Sequence, residues 1–516
     1  MLMFRTLAVT VVVFVAATAY ADDLRVMTAV KSGDVVALRT LLKAQAPVDT
    51  AQPDGATALH WAVYREDIDA VVALLQAGAT ANVSNDIGVT PLSLACENGN
   101  AAIAARLLGA GANPNTSVES GETPLMTAAR LGYEPIVKAL VGKAANVNAK
   151  ESWHQQTALM WASAGQNAEI VRALLAAGAD LKSRSSVATQ VINDAPGGGY
   201  GIKLTNADFA ETKRGGFTSL LFAARTGSVE SARLLLDAGA DVNDQAADGT
   251  SALIVAGHSG NGKVASLLVE RGANVNVAVT GFTALHSAVL RGESGLVRLL
   301  IGRGANLNAR ITKPQGNRRG SADFSLGIET VGATPLHLAA GYLELDALRA
   351  LIEAGADPSV PGPGGAGLLA SAVGTRRYDK TGGQFRGVRD DPRRRRGLSS
   401  EEARRLPEGE REEALILEAV KIVAALKVDL NAPDTAGDTA LHSAARQSLN
   451  SVIALLAENG ADVNVRNKKN QSPLTVSQLP NAFNLDGSVA SRPDQSTADL
   501  LRKLGGTEDT AKTQQE

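Results

Sequence analysis

Thr57-Ala-Leu-His60, Thr283-Ala-Leu-His286, Thr334-Pro-Leu-His337 and Thr439-Ala-Leu-His442 are four copies of one tetrad, and their spacing decides the fold. Looser copies begin at Thr90, Thr123, Thr157, Thr218, Ser251 and Ser472. Thr57 to Thr90 and Thr90 to Thr123 are steps of 33, and Thr123 to Thr157 is 34. Thr218 to Ser251 is 33, Ser251 to Thr283 is 32, and Thr439 to Ser472 is 33. A worn copy, Gly367-Leu-Leu-Ala370, follows Thr334 at the same step of 33. Three intervals are longer: Thr157 to Thr218 is 61, Thr283 to Thr334 is 51, and Gly367 to Thr439 is 72. A period of this length marks small units that cannot bury an apolar face alone and do so by stacking.

Each copy has the same local logic. Thr or Ser is a helix N-cap, its oxygen accepting a backbone N–H of the first turn. Pro or Ala follows at the first helical position, where a missing N–H costs nothing. Leu and paired alanines (Ala128-Ala129, Ala223-Ala224, Ala339-Ala340, Ala444-Ala445) make a small face for close helix contact. A turn follows, as at Gly99, Gly132 and Gly227. A second helix carries a Leu pair, such as Leu74-Leu75 or Leu107-Leu108, and stops at a Gly such as Gly78 or Gly111. An extended Ala-Asp/Asn-x-Asn segment, for example Ala461 to Asn464, leads into the next turn.

This pattern resembles the ankyrin repeat, T-P-L-H-x-A at a period near 33. The resemblance implies paired antiparallel helices with a protruding hairpin finger, stacked into a curved all-α solenoid. It also implies a protein-binding surface with no catalytic apparatus. More narrowly, the chain is similar to exported bacterial ankyrin proteins with long finger inserts. Setting aside the excess length of the long intervals leaves about 12 units. The solenoid is expected to span residues 22–504, with a first capping unit near 22–54 that keeps a helix at Val35–Leu42. The last unit, after Ser472, is interrupted by a polar loop near 480–497 and closes with a helix around Ala498–Leu504. Residues 505–516 read as a frayed tail.

Composition agrees. The 516 residues are 45% hydrophobic and only 3% aromatic, so the core is built of Ala, Leu, Val and Ile. The net charge of −2 drives the protein onto neither nucleic acid nor membrane, and no nucleic-acid partner is expected. A single cysteine excludes an intramolecular disulfide. Residues 1–21 read as a cleavable export signal: Arg5, an apolar run from Leu7 to Ala17, and the small-x-small end Ala19-Tyr20-Ala21. The mature protein is therefore expected in the periplasm or outside the cell, as a soluble monomer.

Candidate chemistry is sparse. Gly257-His-Ser-Gly-Asn-Gly262-Lys263 approaches a phosphate-binding loop, but Val264 replaces the hydroxyl residue and a helix precedes the glycines, so the stretch reads as a helix–helix turn. His60, His286, His337 and His442 share one repeat position, and the resemblance makes them structural hydrogen-bonders; His154 and His258 are isolated. No zinc-type pairing exists, and no metal or cofactor is expected. Cys96 reads as a small buried hydrophobe. Trp61 and Trp161 share a register expected in the core, whereas Trp153 is expected as an exposed anchor in a finger loop. No nucleophile-elbow motif occurs, so no catalytic residue is named.

Partners of ankyrin proteins dock on the fingers and on the first-helix side of the groove. The exposed positions are expected just beyond the paired alanines: Tyr64, Arg65, Arg130, Arg225, His258, Arg291 and Arg446, with Tyr342 one turn on. Arg and Tyr are enriched at interface hot spots. Further inserts interrupt the period at 182–214, 310–331 and 374–411. They carry five Lys/Arg against three Asp/Glu, four against two, and twelve against seven, so the cationic charge of the chain concentrates there. Arg386, Arg389, Arg393, Arg394, Arg395 and Arg396 in the last insert are candidates for contact with an anionic surface. Ser399 to Glu402 is expected to cap a short helix. The expected function is an exported, non-catalytic scaffold; the alternatives are a secreted effector of host proteins and an enzyme with its site in the inserts.

Overall fold

The structure, a computed structural model, describes residues 24–193, 209–313, 330–374, 408–479 and 495–508. Within them the chain forms 24 helices in helix-turn-helix pairs, the all-α class expected. Contacts divide it into two units, Met1–Val187 with Gly215–Ala246, and Ala188–Arg214 with Ala247–Glu516.

The first unit holds six pairs: Arg25–Ser32 with Val35–Lys43, Ala58–Tyr64 with Ile68–Gln76, Pro91–Asn98 with Ala101–Gly109, Pro124–Leu131 with Glu134–Val141, Ala158–Ala164 with Ala168–Ala176, and Ser219–Thr226 with Val229–Asp237. First helices pack on first helices and second on second, giving two layers. Ala62, Ala95, Ala128, Ala162 and Ala223 are fully buried in one layer, and Leu74, Leu107, Leu140, Leu174 and Leu235 in the other. Each buried Leu contributes about 2 kcal/mol relative to exposure. The second unit repeats the arrangement with Ala252–His258 and Gly262–Glu270, Ala284–Leu290 and Ser294–Gly302, Pro335–Gly341 and Leu345–Glu353, Leu368–Val373 and Glu408–Ala424, Ala440–Arg446 and Asn450–Glu458, and Pro473–Ser477 and Gln495–Lys503.

The caps work as the sequence implies. Thr90 Oγ1 accepts from the N–H of Ser93 at 3.2 Å. In the Thr-x-x-His copies at Thr57, Thr283 and Thr439 the histidine closes a capping box: the N–H of Thr57 donates to His60 Nδ1 at 3.1 Å. Nδ1 is thus an acceptor, which leaves the proton on Nε2, and that nitrogen reaches the carbonyl of Val89 in the next finger at 3.1 Å. His442 does the same to Gln471 at 3.0 Å. These histidines are structural, as the resemblance implies. Second helices begin at Asp34, Asp67 and Asn100, whose side chains accept from Ala37, Ala70 and Ile103.

Fingers are tied by two ladders. At their tips, Asp86 N–H donates to Asp54 O (2.9 Å) and Ser152 N–H to Ser120 O (2.8 Å), with the equivalent bonds from Thr312 to Gly281 and Lys468 to Ala436 in the second unit. At their bases, the second Asn of each Ala-Asp/Asn-x-Asn segment bridges to the next repeat. Asn148 Oδ1 accepts from Asp180 N–H at 2.8 Å while its Nδ2 donates to Gly178 O at 3.2 Å. Asn82, Asn115, Asn276 and Asn464 do likewise.

Several expectations change. The first unit has a helix that no Thr motif announces, Arg25–Ser32, held by burial of Val26, Met27, Ala29 and Val30. The insert after the fifth pair contains two strands, Val187–Asn193 and Phe209–Gly215, forming a two-stranded sheet. The helix beyond the third insert starts at Glu408, ahead of its expected start near Glu412. The final helix starts at Gln495. The residues 1–21, most of 374–411 including the Ser399–Glu402 cap, and 509–516 lie outside the described residues. Gly257–Lys263 is a helix end, turn and helix start, as expected.

Candidate protein-binding surface

The candidate positions fall into two classes that the sequence grouping merged. Counting from the N-cap, Tyr64, Arg130, Arg225, His258 and Arg446 are seventh, while Arg65, Arg291 and Tyr342 are eighth. The helical turn aims these neighbours in different directions.

Seventh-position cations fold back on the residue just before the cap, at the finger base. Arg130 Nη2 meets Glu122 at 3.1 Å and Arg446 meets Asp438 at 2.8 Å. Where that residue is aromatic, the cation lies over it: Arg225 stands 5.3 Å from the Phe217 ring and 4.9 Å from Phe222. Tyr64, with Ala56 before its cap, is 64% exposed and packs edge-on to Trp61. His258 is half-buried with its ring near Phe282. Against burial, which would raise it, hydrogen bonds from Arg446 and Asn467 hold the Asp438 carboxyl below the usual range.

Eighth-position residues reach the preceding pair instead. Arg65 donates to Lys31 O at 3.0 Å. Asn98, Thr226 and Gln447 occupy the same register and donate to Val63, Ser163 and Gly374 carbonyls. These are stitches between repeats, so Arg65 carries a structural duty that spacing alone did not reveal. Arg291 and Tyr342 are half-buried.

Trp61 and Trp161 correct the expectation of a core position: both are half-buried. Trp61 carries Lys31 at 4.3 Å over its ring and donates Nε1 to Gln52, a finger residue. Trp161 lies beneath Arg130 at 5.9 Å. Both face the side where the fingers meet the first helices. A Trp four residues past the cap was the available signal, but it was outweighed by the apolar residues around it. The first unit therefore presents three cation–aromatic sets at recurring positions: Lys31/Trp61/Tyr64, Arg130/Trp161 and Arg225/Phe217/Phe222.

Trp153 is 74% exposed, as expected. Glu151 beneath it is buried, and its carboxylate accepts from the N–H groups of Trp153 (2.7 Å), His154 (2.9 Å) and Gln156 (2.9 Å). Against the burial that would raise it, these bonds lower the Glu151 pKa. Cys96 is fully buried, and burial pushes its thiol up to about 12. Among the described residues no His/Cys/Asp/Glu group is arranged to hold a metal, and no helix is long and apolar enough to cross a membrane. Arg386, Arg389 and Arg393 to Arg396 lie outside the described residues.

Stacked helix pairs with fingers and an aromatic, cationic face define a helical-repeat scaffold. The family models agree. "Ankyrin repeats (3 copies)" matches residues 26–118, 106–185 and 220–311, and "Ankyrin repeat" matches 331–362 and 436–468. The chain belongs to the ankyrin repeat proteins, whose domains bind proteins and are typically non-catalytic. Among solved structures, the human ASB11 ankyrin repeat domain is similar at 26% identity and a TM-score of 0.38, over 48% of this chain and 98% of that one. No curated protein matches the chain.

Proposed function

We propose that the chain is an exported, non-enzymatic scaffold that captures a protein partner on the face where its fingers meet its first helices. The observation that carries this is the recurrence of cation–aromatic sets along the first unit, at Lys31/Trp61/Tyr64, Arg130/Trp161 and Arg225/Phe217/Phe222. A solvated helix end needs no such pairing. Rings and guanidinium groups already held in place lose little entropy when a partner covers them. Export is supported by the signal-like residues 1–21. The Arg-rich insert containing Arg393 to Arg396 is read as an auxiliary contact for an anionic surface.

The test replaces Arg130 and Arg225 with Ala and measures capture of proteins from the native envelope fraction. Folding stays intact, because an exposed ion pair and an exposed cation–aromatic contact each contribute only about 0–1 kcal/mol. Capture weakens. Unchanged capture by a folded double variant sinks this surface.

A further inference from the structure

The step from Thr123 to Thr157 is 34 rather than 33, and the structure shows where the extra residue went. In the neighbouring fingers the closing backbone bond spans four residues: Gln52 to Ala56, Asn85 to Val89, Val118 to Glu122. In the next finger it spans five, Glu151 to Gln156. The widened tip holds Trp153 and His154, with Gln155 at positive φ (55°). A short Asp or Asn ordinarily ties such a tip, as Asn85 does by accepting from Ile87 and Val89. Here the longer Glu151 spans the wider loop and accepts from three N–H groups at once. The tip is also fixed on both sides, through Ser152 N–H to Ser120 O (2.8 Å) and Ser186 N–H to His154 O (2.6 Å). A buried carboxylate is costly unless fully bonded, and this one is spent on holding an indole 74% exposed. An indole so exposed on a monomer loses hydrophobic stabilisation that a core position would gain.

We propose that this widened finger is a docking site separate from the helix-side face: Trp153 enters an apolar pocket on a protein partner. The charges along the tips set the character of the pocket's rim. Asp54, Asp86 and Glu119 are exposed on the preceding fingers, and Lys150 and Lys182 are exposed beside the widened one. The partner therefore carries basic groups on one side of the pocket and acidic groups on the other. A uniformly anionic bilayer fits worse, because three carboxylates share the edge with the indole. Ile87, 62% exposed on the tip two fingers earlier, adds apolar area along the same edge.

The experiment places photoreactive benzoyl-phenylalanine at position 153, irradiates the full chain in extract of its source cells, and sequences the adduct. The protein found is then titrated by calorimetry against the wild type, Trp153→Ala, Trp153→Tyr and the Lys150→Glu/Lys182→Glu double variant, each checked by circular dichroism. Expected are a protein adduct, roughly tenfold or greater weakening by Trp153→Ala, and a loss of a few-fold at most by Trp153→Tyr. The double reversal weakens binding and changes its salt dependence. Absence of a protein adduct overturns the proposal, as does an adduct whose affinity Trp153→Ala leaves unmoved. So does co-sedimentation with phosphatidylglycerol vesicles that Trp153→Ala abolishes in the absence of an adduct. The Arg130→Ala/Arg225→Ala variant, run in parallel, separates failure of this site from failure of the helix-side face.

Discussion

Acid should weaken the second unit through two of its histidines. Burial pushes His286 down to about 4, although the nearby carbonyls of Ala333 and Ala309 favour the charged ring. Burial likewise pushes His337 to about 4, with the positive charge of Arg310 acting in the same direction. Both rings bond their capping threonines through Nδ1, yet among the described residues neither Nε2 finds a hydrogen-bond partner, unlike His60 and His442. The finger after His286 is split by the 310–331 insert, and the unit after His337 is the worn one at Gly367. In the unfolded chain each ring titrates near the ordinary imidazole value of 6.5. Between 6.5 and 4 the unfolded state therefore binds more protons than the native state, and stability falls as pH falls through that window. Integrating the linkage from about pH 7 to about pH 5 gives a loss of about 2 kcal/mol per histidine, or about 4 kcal/mol together. Carboxylates whose pKa the fold lowers, such as Asp438, lose their contribution only below about pH 4 and leave this window to the imidazoles. The assay is urea unfolding followed by circular dichroism at both pH values, for the wild type and for His286→Gln/His337→Gln. Glutamine does not titrate, so the double variant should lose most of the pH dependence. A double variant with the wild-type dependence would refute the assignment.

Three further outcomes are expected. Asn148→Ala removes the bonds to Asp180 and Gly178 and should cost about 1 kcal/mol, read as a lower urea midpoint; an unchanged midpoint would show that the Asn ladder adds nothing to stability. Gly437→Ala should cost about 2 kcal/mol, because φ is 81° and a Cβ would stand 2.7 Å from the Lys468 N whose bond to Ala436 ties the finger tips; calorimetric melting checks this. The Cys96 thiol, buried with a pKa of about 12, should resist iodoacetamide in the native protein and react on unfolding; rapid native labelling at neutral pH would show that its helix pair opens locally.

The repeat is legible because its signals are local. A Thr cap, a Pro or Ala after it, a Leu pair and a terminating Gly each act within one or two turns, so ten copies in phase announce the helix pairs, the fingers and the sites of interruption. The same locality explains the buried Cys96 and the shared repeat position of His60, His286, His337 and His442. What needed the tertiary structure depends on which residue of another repeat lies opposite. Arg65 and Arg130 look alike in sequence, yet one neighbouring position on the helix turns Arg65 to the Lys31 carbonyl and Arg130 to Glu122. Trp61 reads as core by its apolar neighbours, and only the finger passing beside it, with Gln52 and the Lys31 ammonium, leaves it half-exposed. The Arg25–Ser32 helix has no cap to announce it, because burial against the next repeat holds it in place of a local signal. The extra residue before Thr157 was countable from the sequence. That it widens one finger and lifts Trp153 on the Glu151 carboxylate follows only once the neighbouring fingers fix where a longer loop can go.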